Sequence, residues 1–127
     1  MIRVLICDDD PMIREALEEV LEAAPDIIVV AVAADTDEAI ALAERHGPTV
    51  AVLDIRMPGG GGPRVARELR ERLPDIGLLA FSAYGDVQAV EDMRRAGVRD
   101  HLLKGVRNPE ILAAVRRVAG VDAPPVG

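Results

Sequence analysis

The chain has 127 residues, enough for one domain with a real core. Half of it is hydrophobic and 29% is charged, the balance of a folded globular chain and not of a disordered one. A net charge of -7, with one Phe, one Tyr and no Trp, argues against a domain that itself grips nucleic-acid phosphates, stacks single strands or lies on an anionic membrane. No apolar run approaches a membrane span, and the N-terminus lacks a signal-peptide layout, so the expected location is the cytoplasm. A single cysteine, Cys7, excludes an internal disulfide and a Cys-based metal site. It falls in an apolar run and reads as a buried, inert thiol.

Ile2 to Cys7 is β-branched and apolar and reads as a buried strand, followed by Asp8, Asp9 and Asp10. Asp10-Pro11 is a helix start, an N-cap acid with Pro at the first helical position. Ile13, Ala16, Leu17, Val20 and Leu21 then repeat at helical spacing until Ala24-Pro25-Asp26. Ile27 to Val32 is a second strand. Asp35 and Glu38 are spaced as a capping box for a helix faced by Ala39, Ile40 and Ala43 and stopped by Gly47-Pro48. Thr49 to Leu53 is a third strand, ending at Asp54. Four glycines, Gly59 to Gly62, suggest a mobile loop, and Pro63 opens a helix that ends near Leu73-Pro74. Ile76 to Phe81 is a fourth strand, Gly85 to Ala96 a helix closed by Gly97, and Val98 to Leu103 a short fifth strand. Asn108-Pro109 caps a last helix, and Gly120 to Gly127 reads as a frayed tail or the start of a linker.

Five strands alternating with helices, apolar on both faces, specify a parallel sheet covered on each side. In such a sheet ligands bind outside the carboxyl ends of the strands. Those ends carry Asp8 and Asp9, Asp54, Ser82, and Lys104. Clustered carboxylates repel one another unless a cation sits among them, and hard oxygen donors suit Mg²⁺. A carboxylate is a competent nucleophile toward phosphorus, and a metal with a Lys neutralises a transferring phosphoryl group. Each residue taken singly has a plain structural role: Asp10 as a cap, Asp54 as a turn carboxylate, Ser82 and Lys104 as strand ends. Their arrival on one rim points instead to a phosphoryl-acceptor site.

Val4-Leu5-Ile6-Cys7-Asp8-Asp9-Asp10-Pro11, Leu53-Asp54-Ile55-Arg56-Met57-Pro58-Gly59, Phe81-Ser82-Ala83-Tyr84 and Leu102-Leu103-Lys104 together resemble a response-regulator receiver domain. The resemblance runs from Ile2 to about Ala119. It implies a flavodoxin-like α/β fold, a three-layer (βα)5 arrangement with strand order 2-1-3-4-5, which the chemotaxis receiver also has. It further implies that Asp54 accepts a phosphoryl group from the phosphohistidine of a sensor histidine kinase. Asp8, Asp9, Asp54 and the Arg56 backbone carbonyl would hold Mg²⁺, for which Mn²⁺ can substitute. Ser82 and Lys104 would contact the phosphoryl oxygens, and the face of the fourth helix, fifth strand and fifth helix would rearrange. Gly97-Val98-Arg99-Asp100-His101-Leu102-Leu103-Lys104-Gly105 and the arginine-bearing last helix look most like NarL/FixJ-type transcription regulators.

The resemblance thus implies a two-component signalling switch and not an enzyme with a released product. Residues 1–119 form the receiver, and 120–127 are a tail or linker to an output domain, of helix-turn-helix type, or the end of a chain that acts by docking a partner. A phosphorylation-dependent homodimer is a further expectation. Three features depart from the family. The switch position three residues before Lys104 holds His101, a group that titrates near neutral pH. Gly105 stands where many receivers have Pro, and the loop after Asp54 is all glycine. Arg56, Ala83 and Tyr84 flank the phosphosite. A haloacid-dehalogenase-type phosphatase would need Thr or Val where Met12 stands and an acidic pair beyond Lys104. A flavodoxin-like electron carrier would need a phosphate loop where the acids follow strand one. A receiver that docks partners without being phosphorylated ranks low, since all the acceptor parts are present.

Overall fold

The computed structural model describes residues 1–83 and 86–121. Five strands and five helices alternate: β1 (Ile2–Cys7), α1 (Pro11–Glu22), β2 (Ile27–Ala33), α2 (Thr36–His46), β3 (Val50–Asp54), α3 (Gly61–Arg72), β4 (Gly77–Ser82), α4 (Val87–Arg95), β5 (Asp100–Leu103) and α5 (Asn108–Val118). The strands form one parallel sheet in the order β2-β1-β3-β4-β5, the order that the family resemblance implies. Strand order reverses beside β1, so the carboxyl ends of β1 and β3 open onto the crevice where such folds bind ligands.

The period of two along each strand divides the core into two layers. Val4 and Ile6 of β1, Val50 and Val52 of β3, and Leu79 and Phe81 of β4 face α1 and α5, where Leu17, Leu21, Ile111, Ala114 and Val115 cover them. Leu5, Cys7, Ala51, Leu53, Leu78 and Ala80 face α2, α3 and α4, against Ala39, Ala43, Val65, Ala66, Leu69 and Met93. The near absence of aromatic residues is met by small and branched side chains packed in bulk. The edge strands are less covered than their apolar sequences suggest. Ile28 of β2 is exposed, and β5 is half-buried.

Several boundaries move for identifiable reasons. β5 begins at Asp100 and not Val98, because the Val98 amide closes the end of α4 by donating to Met93 O. The Ile76 amide is likewise used in a turn, to Leu73 O, so β4 starts at Gly77. Arg107, not Asn108, occupies the N-cap of α5, and no side chain caps it. Gly120 and Val121 belong to the end of α5: their amides donate to Arg117 O and Arg116 O, a Schellman closure. The rest of the expected tail, 122–127, lies outside the described residues, as do Tyr84 and Gly85.

The glycine run is a pinned turn in place of the slack loop expected. α3 starts at Gly61, two residues before Pro63. Gly61 donates to the fully buried Thr36 Oγ1 at 3.1 Å, and the Thr36 amide donates to Pro58 O at 3.1 Å. Gly61 has φ +71°, and a Cβ there would lie 2.4 Å from Ile55 O. Gly47, with φ +55° and nothing within 4 Å of a Cβ, is the matched control. Gly61→Ala should cost well over ~2 kcal/mol, against ~1 kcal/mol for Gly47→Ala, read from urea midpoints at unchanged slope. Equal costs would contradict the close approach.

Candidate functional site

The sheet places its chemistry at one rim. Cys7 and Leu53 are direct neighbours in the β1–β3 ladder, so Asp8 and Asp54 leave adjacent strands side by side. Both are buried, whereas Asp9 is exposed. The run of three acids thus divides its labour. Asp10 caps α1 by accepting the Met12 amide at 2.9 Å, Asp8 points into the protein, and Asp9 stays at the mouth.

Asp8 is fixed by its neighbours. Its Oδ1 accepts the Asp10 amide at 2.9 Å, and its carbonyl accepts Arg14 Nη1 at 2.8 Å. No hydrogen bond satisfies the buried Oδ2 among the described residues; its close partner is the charge of Lys104 Nζ at 3.1 Å. The same Nζ lies 3.3 Å from Asp54 Oδ1. One ammonium therefore serves two buried carboxylates. Burial opposes the charge of Lys104, but Asp8 and Asp54 outweigh that and hold its pKa above the ordinary value. For Asp54 the balance goes the other way. Burial, then repulsion from Asp8, lift its pKa to about 6, with Lys104 only partly opposing.

Asp8, Asp9 and Asp54 each offer an oxygen within 4.8 Å of the others. Three carboxylates against one ammonium leave negative charge uncompensated, and one buried oxygen lacks a directed partner. All donors are hard oxygens. These features fit a small divalent cation such as Mg²⁺.

Ser82 is buried at the end of β4, and its carbonyl accepts the Lys104 amide at 2.7 Å, which ties the β5 end to the rim. Its hydroxyl is not turned to Asp54 or Lys104. It is bonded to Nε2 of His101, the residue at the switch position. Burial pushes the His101 pKa below its ordinary value, which favours the neutral ring. Ala83 is exposed beside this pair. Arg56 follows β3, and its side chain is held by Asp86. Cys7 is buried, and burial pushes its thiol pKa up, in keeping with an inert group.

Two residues at the site have no counterpart in the sequence reading. Thr36 holds the glycine turn, and Asp86 holds Arg56. The Asp86 side chain also caps α4, accepting the Ala89 amide at 3.2 Å, a capping signal that the sequence does carry. Their long-range partners, by contrast, leave no local signature.

The profile of the response regulator receiver domain matches residues 4–116. The chain belongs to this family. Receiver domains are the phosphoryl-accepting switches of two-component response regulators. This receiver is 35% identical over 118 residues to the DNA-binding transcriptional activator DevR/DosR of Mycobacterium tuberculosis, covering 93% of this chain and 54% of that protein. It is 32% identical over 116 residues to the nitrate/nitrite response regulator NarL of Escherichia coli, covering 91% of this chain and 54% of that protein. The chain thus spans about half the length of these curated relatives. Among solved structures, the receiver domain of the putative response regulator NarL from Mycobacterium tuberculosis superposes with a TM-score of 0.87 at 34% identity, covering 94% of this chain and 96% of that one. The NarL-like look of the sequence agrees with these relatives. Among the described residues, no helix of the receiver is long and apolar enough to cross a membrane.

The raised pKa of Asp54 fixes the sign of a pH effect. Between about pH 4 and 6 the unfolded chain releases this proton while the folded chain keeps it, so this group's contribution to stability falls as pH rises through that window. Asp54→Asn removes the loss. Without metal it should be more stable than wild type by about 1–3 kcal/mol at pH 7, with the gap closing toward pH 4. Paired urea melts at both pH values check this, and a constant gap would contradict the burial cost.

Proposed function

We propose that Asp54 is the phosphoryl acceptor and that the site transfers a phosphoryl group from the phosphohistidine of a sensor histidine kinase. The observation that carries this reading is the buried Asp8–Asp54 pair bridged by a single ammonium, Lys104. An Asp54 carboxylate oxygen attacks phosphorus, the new O–P bond forms, and the N–P bond breaks with its electrons returning to the imidazole. Hydrolysis later returns the carboxylate. Asp8, Asp9, Asp54 and the Arg56 backbone carbonyl would hold Mg²⁺, or Mn²⁺ in its place. The ion supplies positive charge to offset that of the transferring group. Lys104 would supply a second positive charge. It already lies at the carboxylate and needs no large movement to reach a phosphoryl oxygen.

Ser82 must change partners. Its hydroxyl bonds His101 in this state and would leave it for a phosphoryl oxygen. His101 then loses its hydrogen bond and is freed to move with β5. That exchange would carry the signal to the face of α4, β5 and α5. The product is a shape change and not a released metabolite, so the domain acts as a switch and catalyses only its own phosphorylation and dephosphorylation. Residues 1–119 would form this unit, in the cytoplasm. It would control an output domain, of helix-turn-helix type as in the transcription-regulator relatives, or a docking partner, and a phosphorylation-dependent homodimer suits that role.

Incubation with Mg²⁺ and acetyl phosphate should add the mass of one phosphoryl group to the wild type and none to Asp54→Ala. An unchanged adduct in the variant would overturn the assignment. Lys104→Ala should keep the fold while the amide shifts of α4 and β5 on beryllofluoride addition shrink. A wild-type response would remove Lys104 from the coupling.

A further inference from the structure

Arg56 stands two residues beyond Asp54 in the chain and pairs with Asp86 at the start of α4. Its Nε donates to Asp86 Oδ2 at 2.6 Å and its Nη2 to Asp86 Oδ1 at 2.8 Å, a two-pronged contact between planar groups. Asp86 is the N-cap of α4, and the Oδ1 that takes Nη2 also accepts the Ala89 amide. One ion pair therefore joins the loop that follows Asp54 to the first turn of α4. On its other side the same loop is held by Arg64, whose Nη1 donates to Gly59 O at 2.8 Å and to Asp37 of α2 at 3.0 Å. Of these two tethers, only the Arg56 one reaches the face that would rearrange.

The tether is built to be given up. The Arg56 side chain is 73% exposed against 17% for Asp86, so water and a stronger anion can compete for the guanidinium. Arg56 stands two residues from Asp54, and the Asp54 charge is among those that bear on its guanidinium. Phosphorylation would replace one carboxylate charge with about −1.5 to −2 and present three oxygens, a target that a planar guanidinium matches well. Asp86 offers one carboxylate in competition. When Arg56 leaves, Asp86 still caps α4 through Ala89, so the helix keeps its end and loses only its anchor.

We propose that Arg56 is a transferable clasp: it holds Asp86 while Asp54 is unmodified, and passes to the phosphoryl oxygens once Asp54 carries them, releasing the N-terminus of α4. The inference rests on Asp54 being the acceptor. Asp86 is then a positioning residue that restrains the switch without touching the reacting atoms. Asp86→Asn keeps a capping oxygen and removes the competing charge. It should bring Arg56 to the site in advance and speed reaction with acetyl phosphate several-fold.

The test follows the Arg56 Nε–H resonance by NMR in the wild type and in Asp86→Asn, before and after Mg²⁺ and beryllofluoride, with adduct formation followed in parallel through the amide shifts around Asp54. The clasp predicts different Arg56 positions in the two free proteins and a common one in the two adducts. An adduct that leaves the wild-type Arg56 resonance at its free position overturns the clasp and spares the acceptor reading. Failure of the wild type to form any adduct overturns both. Should Asp86→Asn not fold, the wild-type shift alone decides.

Discussion

Two carboxylates buried side by side are the constraint on which this molecule turns. Asp8 and Asp54 leave adjacent parallel strands at the same level, in a place too dry to screen them. Nothing in a folded chain favours such a pair unless positive charge comes with it. Lys104 supplies one charge from the end of β5, within 3.3 Å of both. The remaining imbalance is the functional feature. On the proposed function it would make the site receptive to a divalent cation and then to a phosphoryl group, whose charges the carboxylates and the ammonium would complement in turn. The rest of the rim is arranged so that these three side chains cannot relax away. Arg14 and the Asp10 amide hold Asp8, and the Lys104 amide is locked to Ser82 O.

Around this fixed centre lie contacts that can be exchanged. Ser82 bonds His101, and Arg56 bonds Asp86. Both use groups beside the site, and both lead toward α4 and β5. A charged core with two exchangeable partners at its edge has the form of a two-state device, in which a new charge at the centre would redirect side chains that reach outward. The glycine turn supports this by staying put. Thr36, the Ile55 carbonyl and Arg64 hold it against α2, so changes at Asp54 are not dissipated in loop motion.

Much of this was legible in the sequence, because it rests on local rules. Strands apolar on both faces specified the covered parallel sheet, and the order of Asp8, Asp9, Asp54, Ser82 and Lys104 at strand ends specified the rim. Asp10 and Asp35 announced their helices as N-caps, although Glu38 bonds the Ala34 amide and not that of its cap residue. What the sequence did not carry were long-range choices. The glycines read as slack because their partner, Thr36, is 25 residues away from Gly61. Asp86 lies inside the helix expected from Gly85, and nothing local points to Arg56, 30 residues distant. At His101 the sequence identified the position but not the partner, because a ring that can turn inward or outward leaves no pattern in the chain.

The central claim is that the charge imbalance of the buried carboxylates creates the cation site. Calorimetric titration of Mg²⁺ into the wild type, Asp8→Asn and Asp54→Asn tests it most directly, since each substitution removes one negative charge with little change in shape. The account predicts one Mg²⁺ bound by the wild type and a loss of at least about tenfold in affinity in each variant. A wild type that binds no Mg²⁺, or an Asp8→Asn protein that binds it as tightly as the wild type, would contradict it.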